Sequence, residues 1–379
     1  MHANGSSRKQ VLSQLKKIGR LDQQYCDGKI LCSMCTQPHP IAEKAYRLFL
    51  SSNLGDPGLF PGSLRLEQEV VEDLATLLNG KGCSGHVVSG GTEANLMALL
   101  VAKSLTHAEA PEVVLPESAH FSFTKICRIL NLKPVYAGLD GSFRVDPVQV
   151  EKRVSENTVA IVGTAGTSEL GVIDPIKELS RAAVRRKVWL HVDAAFGGLV
   201  LPFLPKPKLD FDFALEAVKS MTVDPHKMGM AAIPAGGIIF KSSDALESLK
   251  TETPYLSDHN QYTFVGTRSG AAATSAWAVF RLLGIQGYRK IVAKCMKNTR
   301  IFSEGLKDLG FKLVVEPTLN IVAFRSDGGT KQLADDLWRR GWLVSYVPRY
   351  DCIRIVVMPH VKKRHAEAFL KDLAKIEKL

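Results

Sequence analysis

The sequence predicts an α/β fold: a larger domain built on a mainly parallel sheet, followed by a smaller C-terminal α/β domain. Three observations carry this. Between Gly82 and Phe240 the chain alternates short β-branched runs with helix-like stretches. Several of those runs are continuously apolar rather than alternating, which suits strands buried on both faces of a parallel sheet. The chain has 379 residues, 45% hydrophobic and 23% charged, enough for two domains and a large core without disulfides or structural metal.

Taken in order, the first fifty-odd residues read as helices and an irregular lead-in that ends in Asn53-Leu54-Gly55-Asp56-Pro57-Gly58. Strands are expected over 86–89, 112–115, 134–137, 159–163, 188–192, 220–223 and 237–240. Helical stretches between them, such as 175–186, supply the crossovers. A long helical pattern then runs over 271–309, with a break expected at Gly284–Gly287. Strands over 320–325, 343–347 and 352–358, with helices over 331–340 and 362–376, complete the smaller domain. The implied boundaries are 1–54 for an N-terminal helical segment, 55–270 for the larger domain and 271–379 for the linking helix and smaller domain.

Composition excludes several classes. The proportions are not those of a disordered, collagen-like or coiled-coil chain. No run approaches the roughly 20 apolar residues of a membrane span. The stretch from Met1 to Lys17 is polar and lacks an apolar signal core, so a cytoplasmic protein without a membrane partner is expected. Forty-nine Lys and Arg against 38 Asp and Glu give a net charge of +11. These basic residues are dispersed and accompany no zinc-finger, ribonucleoprotein-type or basic-zipper pattern, so an anionic small molecule is the expected partner rather than nucleic acid. Seven scattered cysteines, an odd number, read as free thiols in a reducing compartment. Cys32-Ser33-Met34-Cys35 has no second pair to complete a zinc site, and no metal is expected.

Four segments carry chemistry. In Thr222-Val223-Asp224-Pro225-His226-Lys227-Met228-Gly229 a lysine lies just beyond a buried strand. Buried lysines are rare, and desolvation lowers the amine pKa and frees the nucleophilic form for Schiff-base chemistry. Alone, Lys227 reads as a surface loop residue. In His191-Val192-Asp193-Ala194-Ala195-Phe196-Gly197-Gly198 an acid stands at the C-terminal end of another apolar strand, where α/β sheets bind ligands. An Asp beside a pyridine nitrogen keeps it protonated and makes the ring an electron sink. Asp193 alone would cap the next turn, and Ala195 is small enough to let a flat ring lie against the strand. Ser89-Gly90-Gly91-Thr92-Glu93-Ala94-Asn95 leads from a strand into an apolar helix whose first N–H groups suit a phosphate. It matches neither the Walker nor the dinucleotide pattern, and Thr92 is a fair N-cap. His120, in Ser118-Ala119-His120-Phe121-Ser122, is by itself an ordinary hydrogen-bonded histidine; with the other three, it suits an imidazole stacked on a cofactor ring.

These pieces, in this order, resemble the group II pyridoxal-phosphate (PLP) decarboxylases of the aspartate-aminotransferase-like fold (fold type I). The resemblance covers Leu48 to His365. It is nearest to the archaeal L-tyrosine/L-aspartate decarboxylases, through Asn53-Leu54-Gly55-Asp56-Pro57-Gly58-Leu59-Phe60, residues 191–203, and Arg354-Ile355-Val356-Val357-Met358-Pro359-His360. It implies that Lys227 forms the Schiff base with PLP, that Asp193 pairs with the pyridine nitrogen and that His120 stacks on the ring. Gly91, Thr92 and His226 would hold the phosphate, and Thr167 would lie near the ring hydroxyl. Arg354 would anchor the substrate carboxylate, His39 would face the substrate side chain, and Tyr255 would be a mobile-loop proton donor. Gly266-Thr267-Arg268 resembles the segment by which a neighbouring subunit approaches the phosphate, implying a homodimer with shared active sites. The implied reaction is decarboxylation of tyrosine to tyramine, for methanofuran, or of aspartate to β-alanine, for coenzyme A. Another fold type I lyase or an aminotransferase is the alternative, and a noncatalytic PLP-binding protein or a basic nucleic-acid binder is the reading from other classes.

Overall fold

The lead-in is set by local chemistry. Ser7 and Gln10 form a reciprocal capping box at the start of α1 (Arg8–Gly19), a helix that buries none of its residues. Pro40 and Pro61 occupy the first positions of α2 (Pro40–Leu48) and α3 (Pro61–Leu77), where a missing N–H costs nothing. The computed structural model describes residues 4–205 and 209–376. Residues 1–3 and 377–379, the outer ends of the first and last expected segments, lie outside the described residues.

The seven strands expected between Gly82 and Phe240 form one sheet. They are β1 (Ser84–Val88), β2 (Glu112–Pro116), β3 (Lys133–Ala137), β4 (Thr158–Thr164), β5 (Trp189–Asp193), β6 (Val218–Val223) and β7 (Gly236–Phe240), in spatial order β1-β7-β6-β5-β4-β2-β3. Only β7 runs antiparallel, against β1 and β6. The helices that follow these strands are α4 (Gly91–Ser104), α5 (Ser122–Leu130), α6 (Pro147–Arg153) and α7 (Ile176–Arg186). Burial on both faces explains the unbroken apolar runs: along β4, Ile161 enters one core cluster while Ala160 and Val162 enter another across the sheet. Each such side chain contributes about 1.5–3 kcal/mol on leaving water.

Beyond β7 come a short helix, α8 (Asp244–Glu247), and a hairpin, β8 (Thr251–Glu252) and β9 (Asn260–Gln261), within a stretch expected to be loop. The long helix α9 (Gly270–Asp308) leads to a second, antiparallel sheet. Gly284, at φ 53° and ψ −173°, breaks α9 within the expected interval. The second sheet contains β10 (Lys312–Leu313), β11 (Ile321–Arg325), β12 (Ser345–Val347) and β13 (Cys352–Val356), flanked by α10 (Thr330–Arg339) and α11 (Lys363–Ile376). β10 was not expected, since two residues carry no periodicity. The lead-in joins this sheet: Leu31 N–H donates to Leu343 O at 2.8 Å, and Leu31 O accepts from Val356 N–H at 2.7 Å. All seven thiols are free, and no described helix is long and apolar enough to cross a membrane.

Candidate active site

The C-terminal ends of β4, β5 and β6 open on one side of the larger sheet, as does the turn from β1 into α4. Together they enclose a cavity of about 310 Å³. Gly91, Thr92, His120, Asp193, Ala195, His226 and Lys227, from four separate segments, all line it.

One end is backbone. Gly90 rather than Thr92 is the N-cap of α4, and no side chain caps it. Thr92 lies one position inside the first turn, so the first amides face the cavity without the partner a Thr cap would supply. The carboxylate of Glu93 holds the turn by accepting from Ser89 N (2.8 Å), Ser89 Oγ (2.6 Å) and Val265 N (3.3 Å). Gly236 lets β7 pass beneath: a Cβ there would lie 2.4 Å from Gly90 Cα.

The other end is charged. Lys227 Nζ lies 3.0 Å from Asp224 Oδ2, and Asp224 Oδ1 is buried with no partner. Burial pulls the Lys227 ammonium towards neutrality, but Asp224 and Asp193 outweigh it and its pKa is raised. This reverses the expectation of a lowered amine pKa, because two buried carboxylates face the same amine. Asp193 accepts from Ala195 N (3.1 Å) and from Asn95 Nδ2 (3.0 Å), so it caps the next turn as well as facing the cavity. Burial is the main cause holding His120 and His226 below the ordinary imidazole value. His120 Nδ1 accepts from Ser122 N–H at 3.2 Å, which places the proton of the neutral ring on Nε2. Among the described residues no cluster is arranged to hold a metal ion.

The pyridoxal-dependent decarboxylase conserved domain matches residues 58–327, over half of the chain. The chain belongs to the pyridoxal-dependent decarboxylase family. The probable L-tyrosine/L-aspartate decarboxylase of Methanothermobacter thermautotrophicus is 50% identical over 353 residues, 92% of this chain and 97% of the relative. The L-aspartate decarboxylase of Thermococcus kodakarensis is 48% identical over 380 residues, 99% and 98% of the two chains. A solved sphingosine-1-phosphate lyase from Burkholderia pseudomallei, 27% identical, superposes with a TM-score of 0.92 over 100% of this chain and 92% of its own. The fold is thus fold type I, and the protein is an amino-acid decarboxylase that uses PLP.

The residues of the decarboxylase cavity fit that cofactor. It offers an amine for the aldehyde, a helix start for the phosphate, and a flat wall at Ala195. A Cβ on Gly91 would narrow it, lying 3.0 Å from Asp224 Oδ2 and 3.2 Å from Ala195 Cβ.

Four other expected residues lie off the cavity wall. The Thr167 hydroxyl accepts from Val172 N–H at 3.2 Å, and its neighbours Gly166 and Ser168 form the wall instead. His39 caps α2, its Nδ1 accepting from Ile41 N–H at 3.3 Å. Arg354 donates to Ser168 O, Cys32 O (2.6 Å) and Ser345 Oγ (3.0 Å), while its Nε is buried and unpartnered. Tyr255, at the hairpin tip, is 85% exposed.

Sequence reasoning missed Asp224 and Asn95, although both stand in the strings quoted for their neighbours. The signal for Asp224 was an acid three residues before the lysine, the spacing of one turn. Asn95 carried no local signal, because its partners lie far away in sequence.

Proposed function

We propose that this decarboxylase removes the α-carboxylate of L-aspartate, L-tyrosine or both as carbon dioxide, leaving β-alanine or tyramine. The observation that carries this reading is Lys227 Nζ inside the cavity with Asp193 and Asp224 beside it. The names of the two relatives support the choice of substrates. Bound PLP supplies an electron-accepting ring for the pair released when the bond from Cα to the carboxylate breaks. Lys227 is the amine that would hold its aldehyde, and Asp224 keeps that amine charged at rest. Asp193 would hold a proton on the ring nitrogen, while His120 and Ala195 would bound the ring. Gly91, Thr92 and His226 would receive the phosphate. Arg354, whose Nε–H is unpartnered, is the donor we assign to the substrate carboxylate.

Incubation of the PLP-loaded enzyme with each amino acid separately is expected to give carbon dioxide and the matching amine in equal amounts. Accumulation of the keto acid, or no amine from either substrate, would overturn the assignment.

The same reading includes a homodimer with shared active sites. Its support is that the apolar side chains of Leu59, Phe264 and Val265 are exposed, and that Tyr255, on a hairpin, does not line its own cavity. Light scattering is expected to give twice the 41.5 kDa chain mass. An active species of single-chain mass would remove the shared site and the role of Tyr255 within it.

A further inference from the structure

Asn95, on the cavity wall beside Asp193, ends a chain of buried polar side chains that the reaction as described does not use. Trp189 Nε1–H donates to Ser220 Oγ at 2.8 Å, and His191 Nδ1 lies 2.9 Å from the same oxygen. His191 Nε2 is 3.0 Å from Asn95 Oδ1, which also accepts from Thr222 Oγ1 at 2.7 Å. Asn95 Nδ2 in turn donates to Asp193 Oδ2 at 3.0 Å. Asn95 is 1% exposed, and His191, Ser220 and Thr222 are fully buried.

The directions of these bonds follow from the inventory of donors. A carboxylate oxygen only accepts, so Asn95 turns its NH₂ towards Asp193 Oδ2 and its Oδ1 towards His191 and Thr222. Burial pulls the His191 imidazole down to about 4, so the ring is neutral, and because its Nε2 faces the acceptor Asn95 Oδ1, that nitrogen carries the proton. With its NH₂ towards Asp193, the Asn95 amide receives two donors on Oδ1, His191 Nε2–H and Thr222 Oγ1–H. The reverse orientation would set the amide oxygen against a carboxylate oxygen at 3.0 Å, two acceptors without a proton between them.

We propose that Asn95, fixed by His191 and Thr222, is a positioning residue that orients the Asp193 carboxylate towards the cofactor ring nitrogen. Ala195 N–H occupies Oδ1 and the Asn95 amide occupies Oδ2, so the rotamer is held from both sides. This rests on the assignment of Asp193 to the ring nitrogen, and Asn95 acts only through it. A preorganised carboxylate supports charge on the ring without reorganising during the reaction.

A double-mutant cycle on the PLP-loaded enzyme tests the proposal. Asn95→Leu is expected to lower kcat about 10-fold with little change in KM, and to shift the visible absorbance of the bound cofactor in the direction given by Asp193→Asn. In the Asp193→Asn background, Asn95→Leu is expected to change kcat by less than about two-fold. Thr222→Val, which removes one of the two donors on Asn95 Oδ1, should give a smaller loss that vanishes in the same background. It serves where Asn95→Leu does not fold. The PLP dissociation constant, measured by quenching of protein fluorescence as cofactor is added, should rise in Asn95→Leu but not further in the double variant. Equal losses in both backgrounds would overturn the proposal. So would a lower unfolding midpoint with the spectrum and kcat of the folded protein unchanged. An Asp193→Asn enzyme with unchanged kcat and spectrum would instead overturn the underlying assignment, and is recognised from that single variant alone.

Discussion

Lys227→Ala protein is expected to purify colourless and to lose on the order of 10³-fold or more of its decarboxylase activity. Among the described residues Lys227 is the only primary amine on the cavity wall, so no described neighbour can take its place in binding the cofactor aldehyde. Alanine also leaves Asp224, 2% exposed, without the cation 3.0 Å away, and an uncompensated buried carboxylate destabilises the fold. Lys227→Arg separates the two effects. A guanidinium keeps the charge facing Asp224 but stays protonated and is no nucleophile. The arginine variant should therefore unfold near the wild-type midpoint while matching the alanine variant in lost activity. Borohydride reduction of the wild-type enzyme and peptide mapping should place the pyridoxyl group on Lys227. A tag on any other lysine, or an arginine variant that turns over substrate, would refute the assignment.

The largest expected effect on stability is that of Arg268→Ala. β1 is an edge strand of the larger sheet, and its outward backbone groups need partners. Val87 N–H donates to Glu67 Oε1 at 2.9 Å, and Val87 O accepts from Arg268 Nη1 at 2.9 Å. Arg268 also pairs with Glu67, which is 1% exposed, and donates to Leu54 O at 3.2 Å. One ion pair thus closes the sheet edge and ties it to α3 and to the segment before α9. Removing the guanidinium strands a buried carboxylate and two carbonyls, at an expected cost of about 3–5 kcal/mol in equilibrium denaturant unfolding. Burial pushes the Glu67 carboxyl up, but Arg268 above all, with His86, draws it down to about 2. A depressed acid stabilises the fold above its unfolded value, near 4.5, and that contribution fades as pH falls through about 2. The deficit of the variant should accordingly be full at neutral pH and shrink in strong acid. A deficit below about 1 kcal/mol at pH 7 would show that the pair does not hold the edge.

Much of the site was legible because its residues cluster in short strings at strand ends. Lys227 follows β6, Asp193 ends β5 and Gly91 follows β1, so locating three buried strands was enough to bring their ends together on one side of a parallel sheet. The four residues that lie off the cavity wall show the limit of such reading. His39 and Thr167 have chemistry suited to a ligand, but local backbone amides take that chemistry up, as a helix cap and as a turn. Arg354 sits one residue layer behind Ser168. Whether a side chain faces a cavity or a neighbouring N–H depends on angles that residue type does not encode.

The amino-acid pattern by itself determined the seven strands, the helix break at Gly284 and the strings that carry the cofactor chemistry. Each follows from local physics: continuous apolar runs must be buried on both faces, and a glycine adopts a positive φ without a Cβ clash. Only the tertiary structure decided which polar groups meet. Asn95 reaches Asp193 across 98 residues and Thr222 across 127, because the order β1-β7-β6-β5-β4 sets β5 and β6 side by side beneath α4. The rise in the Lys227 pKa has the same origin. A carboxylate from β5 and another from the turn after β6 converge on one amine, and their combined field exceeds the desolvation that sequence reasoning took to be decisive.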